Sequence, residues 1–190
     1  MADDGTARDE DVDLGGGAPE DVAAVIESAK ARGDVDTLRD YIAKTLSGAE
    51  DGDPQKVADV ASVALEIIET IPILLASAHR EAEDRGLAKV VLPLLERAER
   101  YFLVPIDLIP EMTHGLPGLL DDAYLVLRTL ENLESGPEPF LDWDLDVSLE
   151  FLQGLLGRSI AGRLDEIAAD AVTDLQDDLQ AAWNRTAHRA

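Results

Sequence analysis

The chain has 190 residues, 46% of them hydrophobic but only 4% aromatic, with 16 Lys plus Arg against 40 Asp plus Glu and a net charge of −24. That length suits one domain, or one domain with helical extensions, and the core must be chiefly aliphatic. The charge argues against nucleic-acid binding, because no basic stripe exists to replace phosphate counterions, and it disfavours anionic membrane surfaces. Asp-rich, Arg-over-Lys usage fits a high-GC genome or a salt-adapted organism in which charge serves solubility; the functional alternative is attraction to a basic partner or to cations.

Met1 to Ala18 is acidic and glycine-rich and reads as a disordered tail. It has no basic start and no apolar run, so it is not expected to be a signal peptide. Pro19 sits where a first helical turn tolerates proline, and Val22, Val25, Ile26 and Ala29 follow at helical spacing until Gly33. Asp34 or Asp36 can cap a second helix with Leu38, Tyr41, Ile42 and Leu46 on its apolar face, which completes a helical pair over 19–47. Ser47 to Asp53 reads as a linker.

Pro54 opens the longest helical segment. Val57, Val60, Ala61, Ala64, Ile67, Ile68 and Ile71 form a stripe of 3.6-residue period. Pro72 predicts a kink or break, because proline lacks the amide donor and crowds the preceding turn. Gly86 closes the segment. Leu87, Val90, Val91, Leu94, Leu95, Ala98 and Phe102 make the next helix, with Pro93 predicted to kink it or delay its start. A helix restarts near Pro117 and carries Leu120, Tyr124, Leu127 and Leu130, which closes a helical core over 54–133. Ser135 to Pro139 reads as a loop. Over 140–187, a short helix through Leu149, Leu152 and Leu156 precedes a long amphipathic one through Ile160, Leu164, Ile167, Ala171, Leu175, Leu179 and Ala182; both are expected to pack on the core. No segment reads as a strand. The predicted fold is all-α, an irregular bundle of about six to eight helices with a Pro-rich turn between two central ones.

No stretch approaches the roughly 18–20 uninterrupted apolar residues of a spanning helix. Val57 to Ala78 contains Asp59, Glu66 and Glu69, and Leu103 to Leu120 contains Asp107 and Glu111. The absence of cysteine excludes disulfides, thiolate nucleophiles and Cys-ligated zinc. The three histidines, His79, His114 and His188, form no zinc motif. Asp9-x-Asp11-x-Asp13 and Asp142-x-Asp144-x-Asp146 mimic the start of calcium loops, but Leu14 and Val147 occupy the place that needs glycine, and both read as solvated charge. Phosphate-cradling loops and nucleophile elbows are missing, so the chain reads as non-enzymatic.

The distinctive stretch is Tyr101 to Leu130. Three prolines and two glycines between Val104 and Gly118 forbid a continuous helix. Asp107, Glu111, Asp121 and Asp122 lie in apolar sequence, where an ionised carboxylate needs a donor, a cation or water. One reading is structural: Asp107 holds backbone in the turn before Pro110, and Asp121 and Asp122 sit at a helix start whose dipole favours them. The other folds the turn back, so that Asp107, Asp121 and Asp122 converge on Mg²⁺, Mn²⁺ or Ca²⁺, which prefer oxygen ligands.

Aromatic-Leu-Val-Pro-Ile-Asp-Leu-Ile-Pro-acid, followed by Gly-Leu-Leu-Asp-Asp, resembles the YkvA-like family, domain of unknown function 1232. The resemblance is carried by Tyr101, Pro105, Asp107, Pro110, Glu111, Gly118, Asp121 and Asp122 and spans about residues 87–130. It implies a helical fold region and no reaction. Many family members look membrane-associated, although Met112 to Pro117 is more polar here than the family's usual run. The expected function is a non-enzymatic interaction or scaffold protein of the cytoplasm, with a protein partner or a second copy docking on the 160–182 helix. The alternatives are a divalent-cation-binding protein and a peripheral membrane protein.

Overall fold

The computed structural model describes residues 18–46, 53–103, 115–134, 140–141 and 143–173, with isolated positions at 177, 180, 181 and 184. Seven α-helices and one 3₁₀ turn make up these residues, with no strand among them: α1 (Pro19–Ala31), α2 (Asp34–Leu46), α3 (Pro54–Asp84), α4 (Ala88–Leu103), the 3₁₀ turn Leu116–Gly118, α5 (Leu119–Leu133), α6 (Asp146–Leu156) and α7 (Arg158–Thr173). The all-α bundle is the fold that the helical periodicity predicts.

Helix boundaries fall where the punctuation places them. Pro19 opens α1, and the Ala18 amide donates to Asp21 Oδ2 at 3.3 Å. Gly33 turns the chain at φ 82°, a conformation that costs glycine little. Asp53 caps α3 by accepting from the Gln55 amide at 3.0 Å. At its other end Gly86 takes φ 68°, and the Leu87 amide reaches back to the Ala82 carbonyl at 2.7 Å. Leu87 is buried there, completing a left-handed glycine cap with its usual apolar contact.

Neither proline breaks its helix. α3 runs unbroken through Pro72 for 31 residues, and α4 starts at Ala88 and continues through Pro93. An interior proline costs about 3 kcal/mol. Against that, α3 buries Val57, Ala61, Ala64, Ile68, Ile71, Leu74, Leu75, Ala78 and Ala82 along one stripe. Ile71 and Leu74 flank the proline inside the core, so burial on both sides holds the helix together.

α5 is the centre. Most of its residues from Leu119 to Leu133 are buried, with Asp122, Arg128, Glu131 and Asn132 partly exposed, and it packs against α3, α4, α6 and α7. α1 and α2 pack on α3. Glu134, just past α5, accepts the Phe140 and Leu141 amides at 3.1 and 2.7 Å, which seats the buried Phe140 beneath the Arg85 guanidinium. α7 lays Ala161, Leu164, Ala168 and Ala171 inward and packs on α5 and α6.

α3 is also the one helix among the described residues long and apolar enough to cross a membrane by length and composition. An 18-residue window in it reaches a mean hydropathy of 1.8, although only 33% of that window is buried. Glu66 and Glu69 still interrupt the stretch, so it qualifies by composition and not as an unbroken apolar run.

Candidate functional site

The motif residues divide into two groups. Pro105, Asp107, Pro110 and Glu111 lie outside the described residues, as does the first aspartate-rich loop at 9–13. Tyr101 sits in the last turn of α4 and is partly buried. Gly118 ends the 3₁₀ turn that Pro117 enters, and Asp121 and Asp122 occupy the first turn of α5. Both stand at the end of α5 where the helix dipole favours negative charge.

The turn before α5 is held from the side by α2. Gly115 has φ 85°, and a Cβ there would lie 2.6 Å from Asp34 Cγ. Gly115→Ala therefore meets two penalties, a left-handed backbone and a collision. It is expected to lower stability by about 1–3 kcal/mol in thermal melts. Asp34→Ala in the same chain should relieve only part of the collision, because the Cβ of residue 34 stays 2.9 Å from the added methyl; a fully neutral Gly115→Ala would show that the turn is free to move.

Burial shapes the acid pair. Asp121 is buried, and Asp122 is held well above the ordinary aspartate value by burial and then by the neighbouring Asp121 charge. Burial also raises the Tyr41 phenol on α2, with a smaller push from Asp121; its hydroxyl donates to the Leu155 carbonyl at 3.2 Å. The first turn of α5 is thus wedged between α2 and the end of α6. Among the described residues no group of three His, Asp or Glu side chains is arranged to hold a metal ion. The third predicted ligand, Asp107, lies outside them. In the second aspartate-rich stretch, Asp144 Oδ1 accepts the Asp146 amide at 3.2 Å at the start of α6, and both residues are exposed.

Two features carry no sequence signature. The first is a buried acid. Glu99 of α4 is fully buried, with Oε1 2.8 Å from His79 Nε2 of α3. Its Oε2 has no hydrogen-bond partner among the described residues. Burial, then Glu96, Asp21 and Glu20, push the Glu99 carboxyl up to about 8. His79 is lowered by its own burial, against the upward pull of Glu96, Glu83 and Glu20. Both shifts have one direction: burial favours the uncharged carboxyl and the uncharged imidazole, which can share one hydrogen bond.

The second is a surface. Val63, Ile73, Trp143 and Val147 are large hydrophobics exposed to solvent. Val63 and Val147 line one groove of about 280 Å³ between α3 and α6, with Ile67, Leu74, Leu127 and Phe151 as its apolar floor and walls. Glu66, Thr70 and Ser148 supply its polar edge.

Fold and sites together define an acidic helical bundle with an apolar groove between two of its helices. Residues 100–127 match the model of a family described as "Protein of unknown function (DUF1232)". The YkvA-like resemblance falls in this family, and the matched stretch is narrower than residues 87–130. No curated protein and no solved structure matches the chain.

Proposed function

We propose that the protein is a non-enzymatic interaction protein that docks a partner on the face formed by α3 and α6. The observation that supports this reading is apolar surface left uncovered. The most hydrophobic window of α3 is only 33% buried, and Val147 on α6 is 69% exposed beside it. A groove rimmed by polar residues and lined by aliphatic ones is the usual form of such a face. The 160–182 helix is a poorer docking surface over its described part, because its apolar residues turn inward onto α5 and α6.

A neutral solvatochromic dye tests the reading. Dye emission should rise saturably with the full chain, and Val147→Asp should weaken dye binding about tenfold. Val147 is exposed, so the variant should keep its helical circular dichroism. Unchanged dye binding in that variant would remove the groove from consideration. A neutral lipid surface is the second reading, supported by the hydropathy of α3. Pelleting with phosphatidylcholine vesicles that Val147→Asp abolishes would favour it.

A further inference from the structure

We infer that the α3–α6 groove takes an amphipathic helix whose apolar stripe is flanked by Lys or Arg. The inference rests on the interaction reading above and adds the chemistry of the partner. The groove is built by two helices in contact with α5, and its apolar residues on α3 recur one turn or two apart as Val63, Ile67 and Leu74, with Thr70 between the last two. That spacing is the register in which one helix receives the side chains of another.

Charge then selects among occupants. Between Val57 and Ala78, α3 carries Asp59, Glu66 and Glu69 and no basic residue. α6 carries Asp146 and Glu150 and no basic residue, and Asp144 precedes it. Glu66 lines the groove itself, and Asp59, Asp144, Asp146 and Glu150 are exposed. Glu69 is engaged by Lys30 at 2.6 Å, so the charge at the groove comes from Glu66, which lines it, and from Asp146 and Glu150, the α6 neighbours of the lining residues Val147 and Phe151. A second copy would bring two chains of net charge −24 together, acid facing acid. An anionic bilayer would meet the same repulsion. A helix with basic flanks satisfies both halves of the surface, aliphatic stripe against aliphatic groove and ammonium or guanidinium against carboxylate.

The probes are three labelled peptides of about 18 residues, long enough to form a helix when held on a surface. All share one Leu stripe; the flanks are Lys, Gln or Glu. Fluorescence anisotropy with the full chain should show the Lys peptide binding about tenfold tighter than the Gln peptide, with the Glu peptide weakest. Raising salt from about 0.05 M to about 0.5 M should shrink that difference. Val147→Asp is decisive, because it adds negative charge while spoiling the apolar wall. Docking predicts about tenfold weaker Lys-peptide binding in this variant, whereas diffuse attraction to the net charge predicts equal or tighter binding. The second result would overturn the inference. Equal binding of all three peptides, lost together in Val147→Asp, would overturn the charge assignment and leave the interaction reading standing. No binding of any peptide, with no dye binding either, would overturn both. A dimer in light scattering that Val147→Asp breaks, or pelleting with neutral vesicles, would give the groove to another occupant and overturn the inference.

Discussion

Tyr124→Ala is expected to destabilise the protein by about 3–5 kcal/mol, a large share of what a domain of this size possesses. The Tyr124 ring is fully buried in the middle of α5. Its hydroxyl donates to Asp165 Oδ1 of α7 at 2.8 Å. Arg128, one turn along α5, reaches the same Asp165 oxygen through Nε at 2.7 Å and the Tyr124 hydroxyl through Nη2 at 3.0 Å. The guanidinium also pairs with Glu131 and lies 5.6 Å from the Tyr124 ring centre. One aromatic side chain therefore fills core volume and anchors the network that fastens α7 to α5. Truncation to alanine leaves a cavity at the centre of the bundle and removes the network's buried member. Tyr124→Phe keeps the volume and leaves Arg128 and Asp165 paired, so it should cost only about 1 kcal/mol. Urea unfolding followed by circular dichroism separates the two. In a chain of this length the alanine variant should melt roughly 6–20 °C lower. A loss below about 1 kcal/mol for Tyr124→Ala would mean that α7 and its neighbours collapse freely into the space.

Local features of the sequence were legible because the physics behind them is local. Gly33 and Gly86 mark helix ends through backbone freedom, and the Val57 to Ile71 stripe marks a buried face through its period. Pro117-Gly118 followed by Asp121-Asp122 reads as a helix start, and α5 begins at Leu119. What failed depends on partners distant in sequence. Pro72 allows a kink or a break, and the helix is not broken, because each side of it is clamped by neighbours that the local sequence does not reveal. Glu99 looks like any acid on an amphipathic helix, and His79 like any solitary histidine. Their contact requires α3 and α4 to pack in one particular register. The groove is equally non-local: Val63 and Val147 lie on separate helices, and an aliphatic residue in a helix reads as core wherever it faces.

Glu99→Gln is expected to flatten the pH dependence of stability between about pH 6.5 and 8, by about 1.4 kcal/mol per pH unit relative to the natural chain. The unfolded carboxyl ionises near 4.5, whereas the folded one is pushed up to about 8. Between those values the folded chain keeps a proton that the unfolded chain has released. Stability must then fall as pH rises, until the folded carboxyl also ionises. His79 works in the opposite sense. Its folded value is lowered from 6.5, so its contribution grows with pH and levels off about one unit above 6.5, where the unfolded imidazole has lost its proton. His79 titrates in both proteins, so their difference isolates Glu99, and the variant should gain about 1.5 kcal/mol on the natural chain between about pH 6.5 and 8. Glutamine preserves the shape and can still donate to His79 Nε2, so the comparison removes the titration and little else. Urea midpoints at three pH values and constant ionic strength measure the slope. Other acids in the chain, Asp122 included, titrate in both proteins and cancel. Parallel slopes would mean that Glu99 is ionised in the folded state. That would place a carboxylate with His79 as its one hydrogen-bond partner among the described residues in a fully buried site whose neighbouring charges are Glu96 on α4, Glu83 on α3, and Glu20 and Asp21 on α1. With no basic side chain among the groups named around the pair, the proton itself is the counterion that lets α1, α3 and α4 close over it.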